Sequence, residues 1–174
     1  NSLAALRDEK TVPALHSLTR NADPEVVKAA LLALGRIAND EAVTVVRQAL
    51  VDGPEENRAQ AAAACLLAAQ GQLNQGNAES AKALYDIILQ AEVPVSYRIG
   101  ATRGAILART SDRIAFLMQQ LRSNDRALRN VALLTIREIP SDALATALNA
   151  ELGTAPRNMK IQLIMALQDC HNIQ

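Results

Sequence analysis

Few side chains in this 174-residue chain are of a type that does covalent or metal chemistry, and their spacing keeps them apart. A cysteine needs a nearby base to act as a nucleophile, or further ligands to hold a metal. Cys65 and Cys170 fall at positions that an internal repeat otherwise fills with Leu34 and Ile136, and with Ile37 and Ile139, so both read as core packing. His16 and His171 lie near opposite ends of the chain and cannot converge on one ligand. Cys170 and His171 are sequence neighbours, but consecutive residues on a helix point about 100° apart and do not face each other. No third ligand type clusters with either histidine, so no metal site is expected. Gly71 and Gly76 lack the Lys-Ser/Thr that completes a phosphate-cradling loop. The acidic pairs Asp8-Glu9 and Glu55-Glu56 sit at helix starts, where the macrodipole favours them. The expectation is no catalytic residue, no metal, no cofactor and no enzyme activity.

Charge is more informative. Arginine and lysine total 18, as do aspartate and glutamate, for a formal net charge of zero. Within residues 98–137, however, eight arginines (98, 103, 109, 113, 122, 126, 129 and 137) face only Asp112 and Asp125. Arg58, Arg98, Arg129 and Lys160 recur in one column, about 70° off the centre of each apolar stripe. There a long stem packs while its head bonds a neighbouring carbonyl or carboxylate. Arg103 and Arg137 fall on the side away from the core. With Arg126 they would make a basic patch for an acidic peptide or protein, and Arg98 and Arg129 flank it. Nucleic acid is disfavoured, because the chain is neutral overall and holds only three aromatic residues, Tyr85, Tyr97 and Phe116. The longest unbroken apolar run, Ala61 to Ala69, is nine residues, short of the roughly 20 that span a bilayer. No basic amphipathic anchor and no leader-like start is visible, so no membrane role is expected.

The elements that would position these residues follow from composition and repeat. The chain holds 33 Ala and 24 Leu, both strong helix formers, and too few β-branched and aromatic residues for a sandwich or barrel. Four columns recur: Ala30, Ala61, Ala101, Ala132, Leu163; then Ala33, Ala64, Gly104, Thr135, Ala166; then Leu34, Cys65, Ala105, Ile136, Leu167; then Ile37, Ala68, Ala108, Ile139, Cys170. Successive copies are offset by 31, 40, 31 and 31 residues, and the columns fall at i, i+3, i+4 and i+7, the stripe of an amphipathic helix. A leading helix precedes each copy, marked by Val12, Leu15 and Leu18, by Val43, Val46 and Leu50, by Ile114, Leu117 and Leu121, and by Leu148 and Leu152. Asn39-Asp40, Thr110-Ser111 and Pro140-Ser141-Asp142 offer N-caps to leading helices. Asp23-Pro24, Gly53-Pro54, Val93-Pro94 and Ala155-Pro156 break the chain before the second ones. The nine extra residues of the 40-residue step, around Gly71–Asn77, predict a longer exposed connection.

Each helical pair has too narrow an apolar face to bury alone, so the pairs must stack. The predicted fold is an all-α superhelix, an α-solenoid of about five helical hairpins in one domain over residues 1–174. Its units are 9–38, 40–70, 78–109, 111–139 and 141–171, with 1–8 as a partial unit. Leu3 and Leu6 stand 31 residues before Leu34 and Ile37, so Asn1–Asp8 reads as the end of an earlier second helix and the chain as part of a longer protein.

The D-P-x-V…A-A-x-x-A-L-G pattern of Asp23–Gly35, with the recurrent Arg-x-x-Ala of Arg58, Arg98 and Arg129, resembles short bacterial HEAT repeats. Leu73–Pro94 resembles half a tetratricopeptide unit through Gly76, Ala81 and Tyr85. The HEAT resemblance implies a solenoid and a binding or spacing role along its concave surface. It also implies a setting beside enzymatic or carbohydrate-binding domains in larger, often exported proteins. The expected function is therefore a non-catalytic protein-interaction scaffold or spacer. The alternatives are an accessory region of a larger enzyme and, more weakly, a DNA-binding solenoid. Exposed end repeats would favour weak self-association.

Overall fold

The computed structural model describes residues 11–171, excepting the side chains at 158 and 169–171. Among the described residues there are helices and short connections and no strand. The helices are α1 (Val12–Leu18), α2 (Pro24–Ile37), α3 (Asp40–Val51), α4 (Arg58–Asn74), α5 (Ala78–Gln90), α6 (Val95–Ala108), α7 (Arg113–Leu121), α8 (Arg126–Thr135), α9 (Asp142–Thr154) and α10 (Arg157–His171). Single 3₁₀ turns at Glu55–Asn57 and Ile136–Glu138 lead into α4 and extend α8. The chain divides into two compact units, Asn1–Ala108 and Arg109–Gln174.

The first unit holds three helical hairpins. The second helices α2, α4 and α6 pack in sequence order, as do the leading helices α1, α3 and α5, which gives two layers of stacked hairpins. The predicted columns line the seam: Ala30, Ala61 and Ala101, Leu34, Cys65 and Ala105, and Ile37, Ala68 and Ala108 are all buried. Val46, Leu50, Leu84 and Ile88 fill the seam from the other layer. Small residues set the spacing. A Cβ on Gly35 would lie 2.5 Å from the Ala64 carbonyl oxygen, so α2 and α4 meet backbone to backbone. The ring of the buried Tyr85 lies where a Cβ on Gly104 would stand, which fixes α5 on α6. At the start of the unit Val12 is buried, but Leu18 is 38% exposed and does not join the core expected of it.

The second unit repeats the plan with two hairpins. α7 packs on α9, and α8 with its 3₁₀ extension packs on α10. Ala132 and Leu163, Thr135 and Ala166, and Ile136 and Leu167 carry the same columns into its core, facing Leu117, Leu121, Leu144 and Leu148.

Several predicted boundaries hold. Pro24 opens α2 behind Asp23, whose carboxylate accepts from the Glu25 amide at 2.9 Å. Asn39 accepts from Ala42 at 2.8 Å and Ser141 from Leu144 at 3.2 Å. Asp125, not anticipated from the sequence, caps α8 by accepting from Ala127 at 2.9 Å. Others shift. The helix α7 begins at Arg113 with Asp112 as its N-cap, not at Thr110-Ser111. Arg113 Nε donates to the Arg109 carbonyl at 2.7 Å and Arg109 Nε to Asp112 at 3.2 Å, so residues 109–112 are held as a separate turn. The 3₁₀ turn separates Pro54 from α4. Ile139 ends past the 3₁₀ extension of α8 and is only half-buried. The Gly71–Asn77 stretch is no long exposed connection. It is the last turn of α4 to Asn74 followed by a three-residue link, in which Gly76 takes the left-handed φ of 85°. Gln72 is buried there, and that holds the extra turn in place. Leu3, Leu6 and the proposed partial unit 1–8 lie outside the described residues, as do the side chains of Cys170 and His171.

Candidate interaction site

The five arginines singled out from sequence divide between the units. Arg98 and Arg103 lie on α6 of the first, and Arg126, Arg129 and Arg137 on α8 and its 3₁₀ extension in the second. Arg98 is half-buried and its carbonyl accepts from Thr102 Oγ1 at 2.8 Å. Arg103 is exposed, and its charge acts on the phenol of Tyr85. Burial raises that phenol above its ordinary value and Arg103 partly offsets the rise. Arg58, from the same column as Arg98, reaches Glu92 at 3.7 Å, as expected of a stem that packs while its head finds a carboxylate.

In the second unit the structure brings Arg126 and Arg129 together. They line one groove of about 610 Å³ with Leu121, Arg122, Ser123, Asn124, Asn130, Glu151, Thr154, Ala155, Pro156, Met159 and Gln162. Both sit in the first turns of α8, three residues apart, where side chains share a helix face. Arg126 is exposed. Arg129 is half-buried, and its Nη1 donates to the Ser123 carbonyl at 2.6 Å, which aims the guanidinium along the loop that forms one wall. Arg137 does not line this groove. It lies at the far end of the same helical run, about 16 Å along the axis at the usual rise per residue.

Sequence reasoning missed Arg122 and Glu151 as partners. Arg122 Nε donates to both carboxylate oxygens of Glu151 at 3.1 Å and Nη2 to Oε2 at 2.5 Å, a forked pair across the tops of α7 and α9. Glu151 is 8% exposed while Arg122 stays 63% exposed, so the buried partner depends on the open one. The hydrogen bonds from Arg122 hold the Glu151 carboxyl below its ordinary value, against the opposing effect of burial. The signal was present in the repeat. Leu121 and Leu152 are 31 residues apart, so the residue after the first and the residue before the second meet when the leading helices stack. Arg109 was counted in the basic cluster but is buried at 5% exposure, bonded to Asp112 and stacked 3.7 Å from the centre of the Phe116 ring. Its charge is spent inside the fold.

The reactive groups stay dispersed. Cys65 is buried, its thiol pushed up to about 12 by burial, and Sγ donates to the Val46 carbonyl at 3.3 Å. His16 lines a separate cleft of about 280 Å³ with Thr19, Arg20, Gln48, Asp52 and Asn57. Among the described residues no three of His, Cys, Asp and Glu come together as a metal site would need. No described helix is long and apolar enough to cross a membrane.

The sequence of residues 1–67, which ends within α4, matches the family model of HEAT repeats. That stretch is therefore similar to HEAT repeats. No curated protein matches the chain. The later hairpins continue the same columns, with Ala101, Ala132 and Leu163 following Ala30 and Ala61, so the chain's own repeat runs on past the matched stretch. HEAT repeats generally mediate protein interactions.

Proposed function

We propose that this HEAT-repeat chain is a non-catalytic protein-interaction scaffold whose groove on the second unit receives an acidic segment of a protein partner. The observation that carries the reading is the convergence of Arg126 and Arg129, beside Arg122, on one groove. Arginine is suited to the task, because its planar fork meets a carboxylate with two parallel hydrogen bonds and stays charged at any working pH. The polar lining from Asn124, Asn130 and Gln162 adds donors and acceptors for a partner's backbone. A groove of this kind gives specificity and association rate more than raw affinity, so binding should weaken as salt rises.

The test compares two charge-reversed variants in affinity purification from a cell extract. One carries Arg126→Glu and Arg129→Glu, the other Arg98→Glu, Arg103→Glu and Arg137→Glu. A partner held by the parent and by the second variant, and lost by a first variant of unchanged helicity, supports the groove. A partner lost only by the second variant moves the site to the other arginines. If both variants retain every partner, the acidic-segment reading is wrong.

A further inference from the structure

The groove holds three arginines and one carboxylate, and the four are not equivalent. Arg122 is committed to Glu151 through a fork of hydrogen bonds, and Glu151 is buried to 8% exposure. Drawing Arg122 away toward a partner would leave that carboxylate buried and unpaired, which is strongly unfavourable. Arg126 and Arg129 carry no such commitment to a carboxylate in the groove. The Arg129 guanidinium spends one nitrogen on the Ser123 carbonyl, and a guanidinium has five N–H donors. Their spacing also bears on the form of the partner. Residues at i and i+3 on a helix have Cβ atoms about 5–6 Å apart. Alternate residues of an extended chain, which point to one side, are about 6.8 Å apart.

We infer that Glu151 is the specificity-determining residue of the groove: by neutralising Arg122 it leaves Arg126 and Arg129 as the two reading charges, matched to an extended partner segment with acidic residues at alternate positions. This rests on the groove being the binding site, as proposed above. Glu151 thus works as a built-in subtraction. It holds the groove to a net of two positive charges, enough for a pair of carboxylates and unfavourable to a dense polyanion.

The experiment titrates the full chain into a dye-labelled peptide with Glu-Ser-Glu set in a Gly/Ser frame, followed by fluorescence anisotropy. Four proteins are compared: the wild type, Glu151→Gln, the double variant Arg122→Gln/Glu151→Gln, and Arg126→Glu/Arg129→Glu. Circular dichroism establishes that each is helical. Releasing Arg122 in Glu151→Gln should tighten binding about fivefold, the upper scale of one added solvent-exposed ion pair. The double variant should bind within about twofold of the wild type, because it removes a pair of net charge zero. A Glu151→Gln protein that binds no more tightly, or a double variant that loses binding as the Arg126/Arg129 reversal does, would overturn the inference while leaving the groove as the site. Loss of all binding to the wild type and to Glu151→Gln, or binding indifferent to the Arg126/Arg129 reversal, would overturn the groove reading and this inference with it.

Discussion

The side-chain amide of Gln72 donates from Nε2 to the main-chain carbonyl of Ala38 at 2.5 Å, joining the last turn of α4 to the end of α2. Ala38 caps the C-terminal end of α2 and sits in the left-handed region with φ 51°, a conformation that costs a non-glycine residue energy. Its carbonyl is one of the orphan acceptors that every helix terminus leaves, and Gln72 satisfies it from inside the core. The partner oxygen of the same amide, Oε1, is buried without a hydrogen bond, so the contact is worth less than a fully satisfied pair.

Replacing Gln72 by Ala should therefore destabilise the first unit by about 1–3 kcal/mol, the cost of a buried acceptor left without its donor. Urea denaturation followed by circular dichroism measures it. A midpoint unchanged from the wild type would show that the carbonyl finds another donor.

Gly104 predicts a loss of a different origin. A methyl group there would fall within the Tyr85 ring, and both residues are buried between α5 and α6. Gly104→Ala should cost about 1–3 kcal/mol through overpacking. Pairing it with Tyr85→Leu should recover part of that loss, seen as a non-additive term in a double-mutant cycle. Strict additivity of the two melting-point changes would contradict the packing described.

Glu151 gives a pH signature. Its carboxyl is held below its ordinary value in the folded chain, so the folded state binds fewer protons there than the unfolded one, and stability rises with pH across that interval. The contribution is complete above the ordinary glutamate value of about 4.3 and disappears as pH falls below the folded value. Denaturation midpoints measured from pH 6 down to pH 3 should fall more steeply for the wild type than for Glu151→Gln. Parallel curves would mean that the Arg122 pair contributes nothing to stability.

Cys65 should be inert. With its thiol raised to about 12 and the side chain buried, almost none is thiolate at neutral pH. In a Cys170→Ser background, a thiol-specific chromogenic reagent at pH 8 should react only after denaturant is added. Prompt reaction in the native state would place Cys65 on an opening segment.

Much of the fold is legible in the sequence because the repeat is written in residue volume. Ala30, Ala61, Ala101 and Ala132 fall on one face at helical spacing, and small apolar side chains at such positions have few uses besides close helix packing. The helix ends were harder to read. Thr110 and Ser111 look like a cap, yet the side-chain bonds of Arg109 and Arg113 form a turn there that no local propensity encodes. The Gly71–Asn77 stretch misleads for a related reason: Gly and Asn signal a loop, while Gln72 is anchored by a long-range bond to Ala38 in the last turn of α4. The candidate site was half visible. Arg126 and Arg129 stand out by charge, but the sorting of arginines into committed and reading ones depends on Glu151 and Phe116, whose roles appear only in three dimensions.

The contact of Gly35 with Ala64 has a further consequence. Because α2 and α4 touch through their main chains there, the distance between the first two hairpins is set by peptide geometry for as long as residue 35 is glycine. Substitutions on the outward faces of α2 and α4 leave that distance unchanged. In the first unit position 35 therefore acts as a ruler that tolerates no side chain.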